Sequence, residues 1–345
     1  MNRAMNGRIA LFLVGLGSIS PAGDARADAV EDFYKGKTIE FIVATEAATV
    51  YDVWARLLAK YMPRYIPGSP NFTVKNMPGG GHIIATNYLF NNAPQDGTSI
   101  GTFSRNIPTS ALLKKGAIKF DVTKFQWLGS TDMPSRICVA NAGVAVQKGE
   151  DLFESELIVG GNGPGSSVST TPNLLAGLLG MKFKVVEGYK GAPEVFLAME
   201  RGEVQGICQT LTGVENERPD WIKNGKLKVL FNMEKNPIPG LDAPTVYKFV
   251  DSAERGQIVA FYNSNVELGR PFAAPPGVPA ARFAALRKAF DLAMKDPDLI
   301  ADVAKTRIEM VPMTGADLKD RIDSLANTSP EIIEKTKAIV GDSGL

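Results

Sequence analysis

The sequence predicts an α/β fold of two lobes that face each other across a cleft. Three observations carry this. A buried-strand pattern, a loop of small residues and an amphipathic helix follow one another over Lys37–Met62. The pattern restarts beyond a crossing at Phe125–Pro134, with its own glycine and serine loop at Gly160–Ser167. Helical patterns then return toward the C-terminus, where they would fold back on the first lobe and make it discontinuous. Two lobes joined by two crossings leave a cleft, the usual place for a small-molecule site.

The chain opens on a targeting pattern. Arg3 and Arg8 precede an apolar run from Ile9 to Leu16, and Ala25-Arg26-Ala27 is an A-x-A cleavage site. The run is shorter than the ~20 apolar residues of a membrane span. The mature chain is therefore expected to start at Asp28, exported and periplasmic. The whole chain has 345 residues, 44% of them hydrophobic, with Lys+Arg 38 against Asp+Glu 37. Without residues 1–27 the balance is 35 basic to 36 acidic residues. Nothing here resembles the basic face of a nucleic-acid protein.

In the opening unit, Ile39, Phe41, Ile42 and Val43 form an apolar run suited to a strand covered on both faces. Trp54, Leu57, Leu58, Tyr61, Met62 and Tyr65 then recur at helical spacing. The loop between them opens into a helix whose first N–H groups lack backbone partners, ready donors for an anion. Further strands are expected at Phe72–Lys75 and Thr98–Phe103, around a helix at Ile83–Asn91. Past the crossing, the pattern gives strands at Arg136–Ala140, Leu157–Val159, Lys182–Val186, Val204–Thr210 and Lys226–Phe231. Helices fall at Pro172–Leu179, with Pro in its first turn, and at Ala192–Arg201. The returning chain reads as strands at Gln257–Tyr262 and Ile308–Val311. Helices are expected at Pro279–Met294, Asp298–Ala304, Gly315–Leu325 and Pro330–Val340.

Catalytic chemistry has little to work with. His82 is the one histidine and sits at a helix start, so neither a nucleophile–histidine pair nor a zinc site can be assembled around ligand-spaced residues. The glycine stretches lack the phosphate-loop lysine and match no dinucleotide fingerprint. Asn162–Ser167 joins a strand end to a helix start, which favours backbone N–H groups and small hydroxyls aimed at a polar ligand. Cys138 and Cys208 each lie in a short apolar run. Export permits a disulfide, and a buried free thiol fits equally; the choice depends on whether the two strands are neighbours.

A series of short stretches then resembles one family, the extracytoplasmic solute-binding receptors of tripartite tricarboxylate transporters (the TctC or Bug family). They include Tyr51-Asp52 with Ala55-Arg56-Leu57-Leu58, Asn76-Met77-Pro78-Gly79-Gly80-Gly81, Pro94-Gln95-Asp96-Gly97-Thr98 and Gly101-Thr102-Phe103-Ser104-Arg105. Gly163-Pro164-Gly165-Ser166-Ser167, Met199-Glu200-Arg201-Gly202-Glu203-Val204 and Arg270-Pro271-Phe272-Ala273-Ala274-Pro275 continue the pattern. The resemblance runs from about Phe33 to about Ile339, in order.

It implies a type 2 periplasmic-binding-protein fold of two α/β lobes that close on a ligand. Domain 1 would comprise residues 28–132 and 253–345, and domain 2 residues 133–252. Such a receptor is monomeric, has no enzyme activity, cofactor or metal, and hands a small carboxylate to a membrane permease. An alternative is a receptor that presents its closed form to a sensor. Carried over, the ligand-binding residues are Thr45, Glu46, Ala47, Ala48, Thr49, Val50 and Asp52 in the first loop and Asn162, Gly163, Gly165, Ser166 and Ser167 in the second. Ser104, Arg105 and Gln209 lie at strand ends beside them. The chain departs from the family where Ala48-Thr49-Val50 replaces consecutive glycines, which removes easy access to positive φ. Glu46 adds a negative charge there, a repulsion of ~1 kcal/mol toward a solvated carboxylate. Gln209 stands where an acidic residue is common.

Overall fold

The structure is a computed structural model that describes residues 24–113, 117–163, 166–306, 308 and 310–341. Residues 1–23 of the expected signal segment lie outside them, as does Gly165. In chain order the first part runs α1 (Asp24–Tyr34), β1 (Thr38–Val43), α2 (Val50–Tyr61), β2 (Asn71–Asn76), α3 (Ile83–Asn91), β3 (Ser99–Thr102), α4 (Ile107–Leu112) and β4 (Gln126–Ser130). The second part has β5 (Arg136–Asn141), β6 (Leu157–Gly160), α5 (Ser167–Leu179), β7 (Phe183–Val186), α6 (Ala192–Arg201), β8 (Gly206–Thr210), α7 (Leu211–Glu217) and β9 (Leu227–Asn232). The chain returns through α8 (Ala253–Glu267), β10 (Pro271–Ala274), α9 (Ala280–Ala293), α10 (Pro297–Thr306), β11 (Met313–Thr314), α11 (Gly315–Ala326) and α12 (Pro330–Val340).

Two sheets organise these elements. The first has the order β11-β4-β10-β3-β1-β2, and the second β7-β6-β8-β5-β9. β2, β1 and β3 are parallel, as strands joined through helices must be. β10 enters antiparallel between β3 and β4. Side chains alternate about β1. Ile39, Phe41 and Val43 pack with Trp54 and Leu58 of α2 and Phe290 of α9, while Ile42 points into the core formed with Leu89 and Phe103. In the second sheet, β5 is antiparallel to both β8 and β9, and β6 is parallel to β7 and β8. Cys138 faces Cys208 across β5 and β8, and the two are joined in a disulfide with a Cα–Cα distance of 4.0 Å.

Several elements differ from expectation. Gln257–Tyr262 is not a strand but part of α8. Its run Ile258, Val259, Phe261 and Tyr262 is buried because α8 packs against α4, α11 and α12, and a helix covered on several sides loses its polar stripe. Ser252 starts that helix, its hydroxyl accepting from the Arg255 N–H at 3.3 Å. Pro172 lies inside α5 and not in its first turn, because the helix begins earlier, at Ser167, capped by Ser166. The late strand expected at Ile308–Val311 is instead the two-residue β11, paired with β4. The segment expected as a crossing supplies β4 from Gln126 to Ser130, so the first crossing shortens to Thr131–Ser135. A second passes from β9 through α8 to β10. There is also a third, since α11 packs on β4 whereas α12 packs on α5 and α8.

Candidate ligand-binding site

The first loop leaves β1 at its C-terminal end and enters α2. Glu46, Ala47, Ala48 and Val50 are exposed, and Thr45 and Thr49 are half-buried with their hydroxyl oxygens 2.6 Å apart. Asp52 is buried, and its carboxylate accepts from the Ala48 N–H at 2.8 Å, Asn76 Nδ2 at 2.9 Å, and Arg56 Nε and Nη2 at 2.9 and 3.0 Å. Burial pushes the Asp52 carboxyl up, but the bonds from Arg56, Asn76 and Ala48 outweigh it and hold the group below its ordinary value. Asp52 thus braces the loop, with its oxygens engaged inside the protein.

Ala48 has φ 64°, the left-handed conformation that glycine favours. The turn survives the loss of glycine at a cost of about 1 kcal/mol. Ala48→Gly is expected to raise stability by about that amount, read as an upward shift of the urea midpoint. An unchanged or lower midpoint would show that the loop is unstrained.

Beside this loop, the chain leaving β3 carries Ser104 and Arg105. The Ser104 N–H donates to His82 Nδ1 at 3.1 Å, and the Arg105 N–H donates to the Tyr51 hydroxyl at 3.3 Å. The His82 and Tyr51 rings meet edge to face at 5.7 Å. Burial lowers the His82 pKa, so the imidazole is neutral at pH 7 with Nδ1 as acceptor. The one histidine therefore ties the β3 end to the helix that carries the first loop.

The second loop leaves β6. The Asn162 N–H donates to Ser169 Oγ at 3.0 Å, and the Gly163 N–H donates to Glu187 Oε2 at 2.8 Å, where Ser169 Oγ also donates. Ser166 caps α5 and Ser167 is its first residue; both are half-buried. Asn162 Oδ1 is buried with no hydrogen-bond partner. Gln209, at the end of β8, accepts from the Thr210 N–H at 2.8 Å. Among the described residues no hydrogen bond joins the two loops.

Sequence reasoning missed two arginines near these strand ends. Arg270 precedes β10 and pairs with buried Asp132, through its backbone N–H at 2.9 Å and through its guanidinium. Burial raises the Asp132 pKa against the pull of Arg270 and Arg105. The Arg270 guanidinium also lies 5.5 Å from the Tyr51 ring centre. Arg136 opens β5, with its guanidinium 5.4 Å from the Tyr262 ring. The Tyr262 hydroxyl lies 2.7 and 2.9 Å from those of Thr170 and Thr171 on α5. A charged residue heading an apolar strand was the available signal for Arg136. Among the described residues no acid, histidine and cysteine cluster could hold a metal. Among the described residues no helix is long and apolar enough to cross a membrane.

Two α/β lobes, each with a loop leaving a strand end, have the two-lobe fold of the periplasmic binding proteins, a class of solute receptors. Residues 55–338 match the tripartite tricarboxylate transporter family receptor, and the chain belongs to that family. It is accordingly a solute-binding receptor of a transport system and not an enzyme. A TctC solute-binding protein from Polaromonas, solved without ligand, is 19% identical with a TM-score of 0.70, covering 88% of this chain and 99% of its own. A Rhodopseudomonas palustris protein solved with adipate is 16% identical with a TM-score of 0.53, over 88% of this chain and 97% of its own. Another from that organism, MatC with bound malate, is 19% identical with a TM-score of 0.50, covering 88% and 99%. No curated protein matches the sequence.

Proposed function

We propose that this receptor captures a small organic carboxylate in the periplasm and delivers it to the membrane subunits of a tripartite transporter. The observation that carries the reading is the placement of the Thr45–Asp52 and Asn162–Ser167 loops at the strand ends of two different sheets. The relatives solved with malate and adipate support the ligand class. Residues 28–132 and 253–326 would act as one lobe and 133–252 together with α12 as the other, closing by a hinge at the crossings. The chain works as a monomer after removal of residues 1–27.

Thermal-shift screening of mono- and dicarboxylates, aromatic acids and amides, followed by calorimetry, tests the reading. Ser167→Ala and Ser166→Ala are expected to weaken binding of the selected solute while the protein remains folded. A dissociation constant equal to that of the unaltered protein would remove the second loop from the site. Glu46→Gly is expected to tighten carboxylate binding, and equal or weaker binding would show that Glu46 points away from the cleft.

A further inference from the structure

We propose that Arg105, Arg136 and Arg270 form an oxyanion-binding floor at the base of the cleft, which takes the charged group of the solute. The inference rests on the receptor reading above and deepens it. It assigns recognition of the solute's charge to guanidinium groups and leaves the two loops to hold the remainder.

Topology brings the three residues to one place. Phe272 of β10 pairs with Thr102 of β3, so Arg270 emerges beside the Ser104–Arg105 end. Arg136 follows directly on the first crossing and pairs with Thr210 at the end of β8. Two guanidiniums thus come from strand ends of the first sheet and one from the second. Tyr51 links the first two, holding the Arg105 N–H on its hydroxyl and the Arg270 guanidinium against its ring. The positive charge of Arg105 bears on both Asp132 and Arg136.

Their donors are unmet. Arg136 is 4% exposed, yet its Nε and Nη1 have no hydrogen-bond partner. The same holds for Arg105 Nη1 and Arg270 Nε. A guanidinium cannot shed its proton, so a buried one calls for an anion. Asp132 is committed to Arg270. Glu234, the acid that bears on Arg136, has a buried Oε1 without a partner. A purely structural arginine would be expected to have its donors satisfied.

The loops, by contrast, have already spent donors on their own carboxylates. Asp52 takes the Ala48 N–H, and Glu187 takes the Gly163 N–H. Exposed Glu46 adds a further negative charge to the first loop. An incoming carboxylate therefore meets acids at the loops and unsatisfied guanidiniums at the floor. A planar carboxylate can accept two parallel N–H bonds from one guanidinium.

The test uses the mature protein, Arg136→Met and Arg105→Gln. Melting is followed with succinate, adipate and benzoate against sodium chloride of equal ionic strength, with an uncharged amide as control. Calorimetry then gives the dissociation constant of the strongest acid. Expected are a rise in Tm with at least one acid and an affinity at least tenfold weaker in both variants. The ligand-free Arg136→Met protein should melt no lower than its parent, since an unpaired buried charge has been removed. Arg105→Gln alone decides the matter should Arg136→Met fail to fold. Unchanged affinity in a folded variant, or a ligand-free Arg136→Met protein that melts lower and binds as before, would overturn the floor. Binding of the amide with no acid bound would also overturn it while leaving the receptor reading intact. Failure of every solute to bind would remove both.

Discussion

Replacing Cys138 and Cys208 together by alanine is expected to cost about 4 kcal/mol of unfolding free energy. The cysteines are 70 residues apart in sequence and directly opposed in β5 and β8. The closed loop holds β6, α5, β7 and α6, so the crosslink removes many conformations from the unfolded chain. That is the chain-entropy contribution expected for a loop of this length. Both residues are buried, so the alanines also leave a small void. Urea denaturation provides the measurement. Dithiothreitol should lower the midpoint of the unaltered protein toward that of the double variant and leave the double variant where it was. Equal midpoints for the oxidised protein and the variant would show that the crosslink adds nothing.

The second large effect concerns Glu234. Its carboxyl is pushed from 4.5 to about 7 by burial and by the neighbouring charge of Glu267, against the pull of Arg321 and Arg136. In the unfolded chain the group loses its proton near 4.5; in the folded protein it keeps it until about 7. Between those values the folded state binds more protons, so stability falls as pH rises across that window. The loss is up to about 3 kcal/mol, complete above the folded value. Glu234→Gln should therefore match the unaltered protein at pH 4 and exceed it at pH 8. A difference between the two proteins that stays constant from pH 4 to pH 8 would show that Glu234 is free of the burial that raises it.

Much of the fold was legible because local pattern and tertiary burial agree. β1 is covered on both faces and reads as an apolar run, and α2 is covered on one and reads as a stripe. At α8 the two disagree. A helix buried against three others carries an apolar run that a strand would also carry, and periodicity alone cannot separate them. The loops of the site were legible as strand–loop–helix junctions. What their side chains do was not, since Asp52 meets Asn76 on another strand, and Glu187 reaches back to the second loop from beyond β7. Arg105 was legible at its strand end, whereas Arg136 and Arg270 were least accessible to sequence reasoning. Arg270 comes beside the Arg105 end of β3 because β10 inserts between β3 and β4, a pairing of residues far apart in the chain.

The third crossing has a practical consequence. Because α12 lies on α5, with Ile339 against Gly177, the end of the chain travels with the sheet that carries the Asn162–Ser167 loop. α10, by contrast, is fixed to α2 through Lys60, whose Nζ lies 2.7 Å from Asp302. A donor dye on Gly341 and an acceptor on an exposed position of α10 would sit on opposite jaws without entering the cleft. Energy transfer between them would then report jaw position for any solute, whether or not its chemistry was known beforehand.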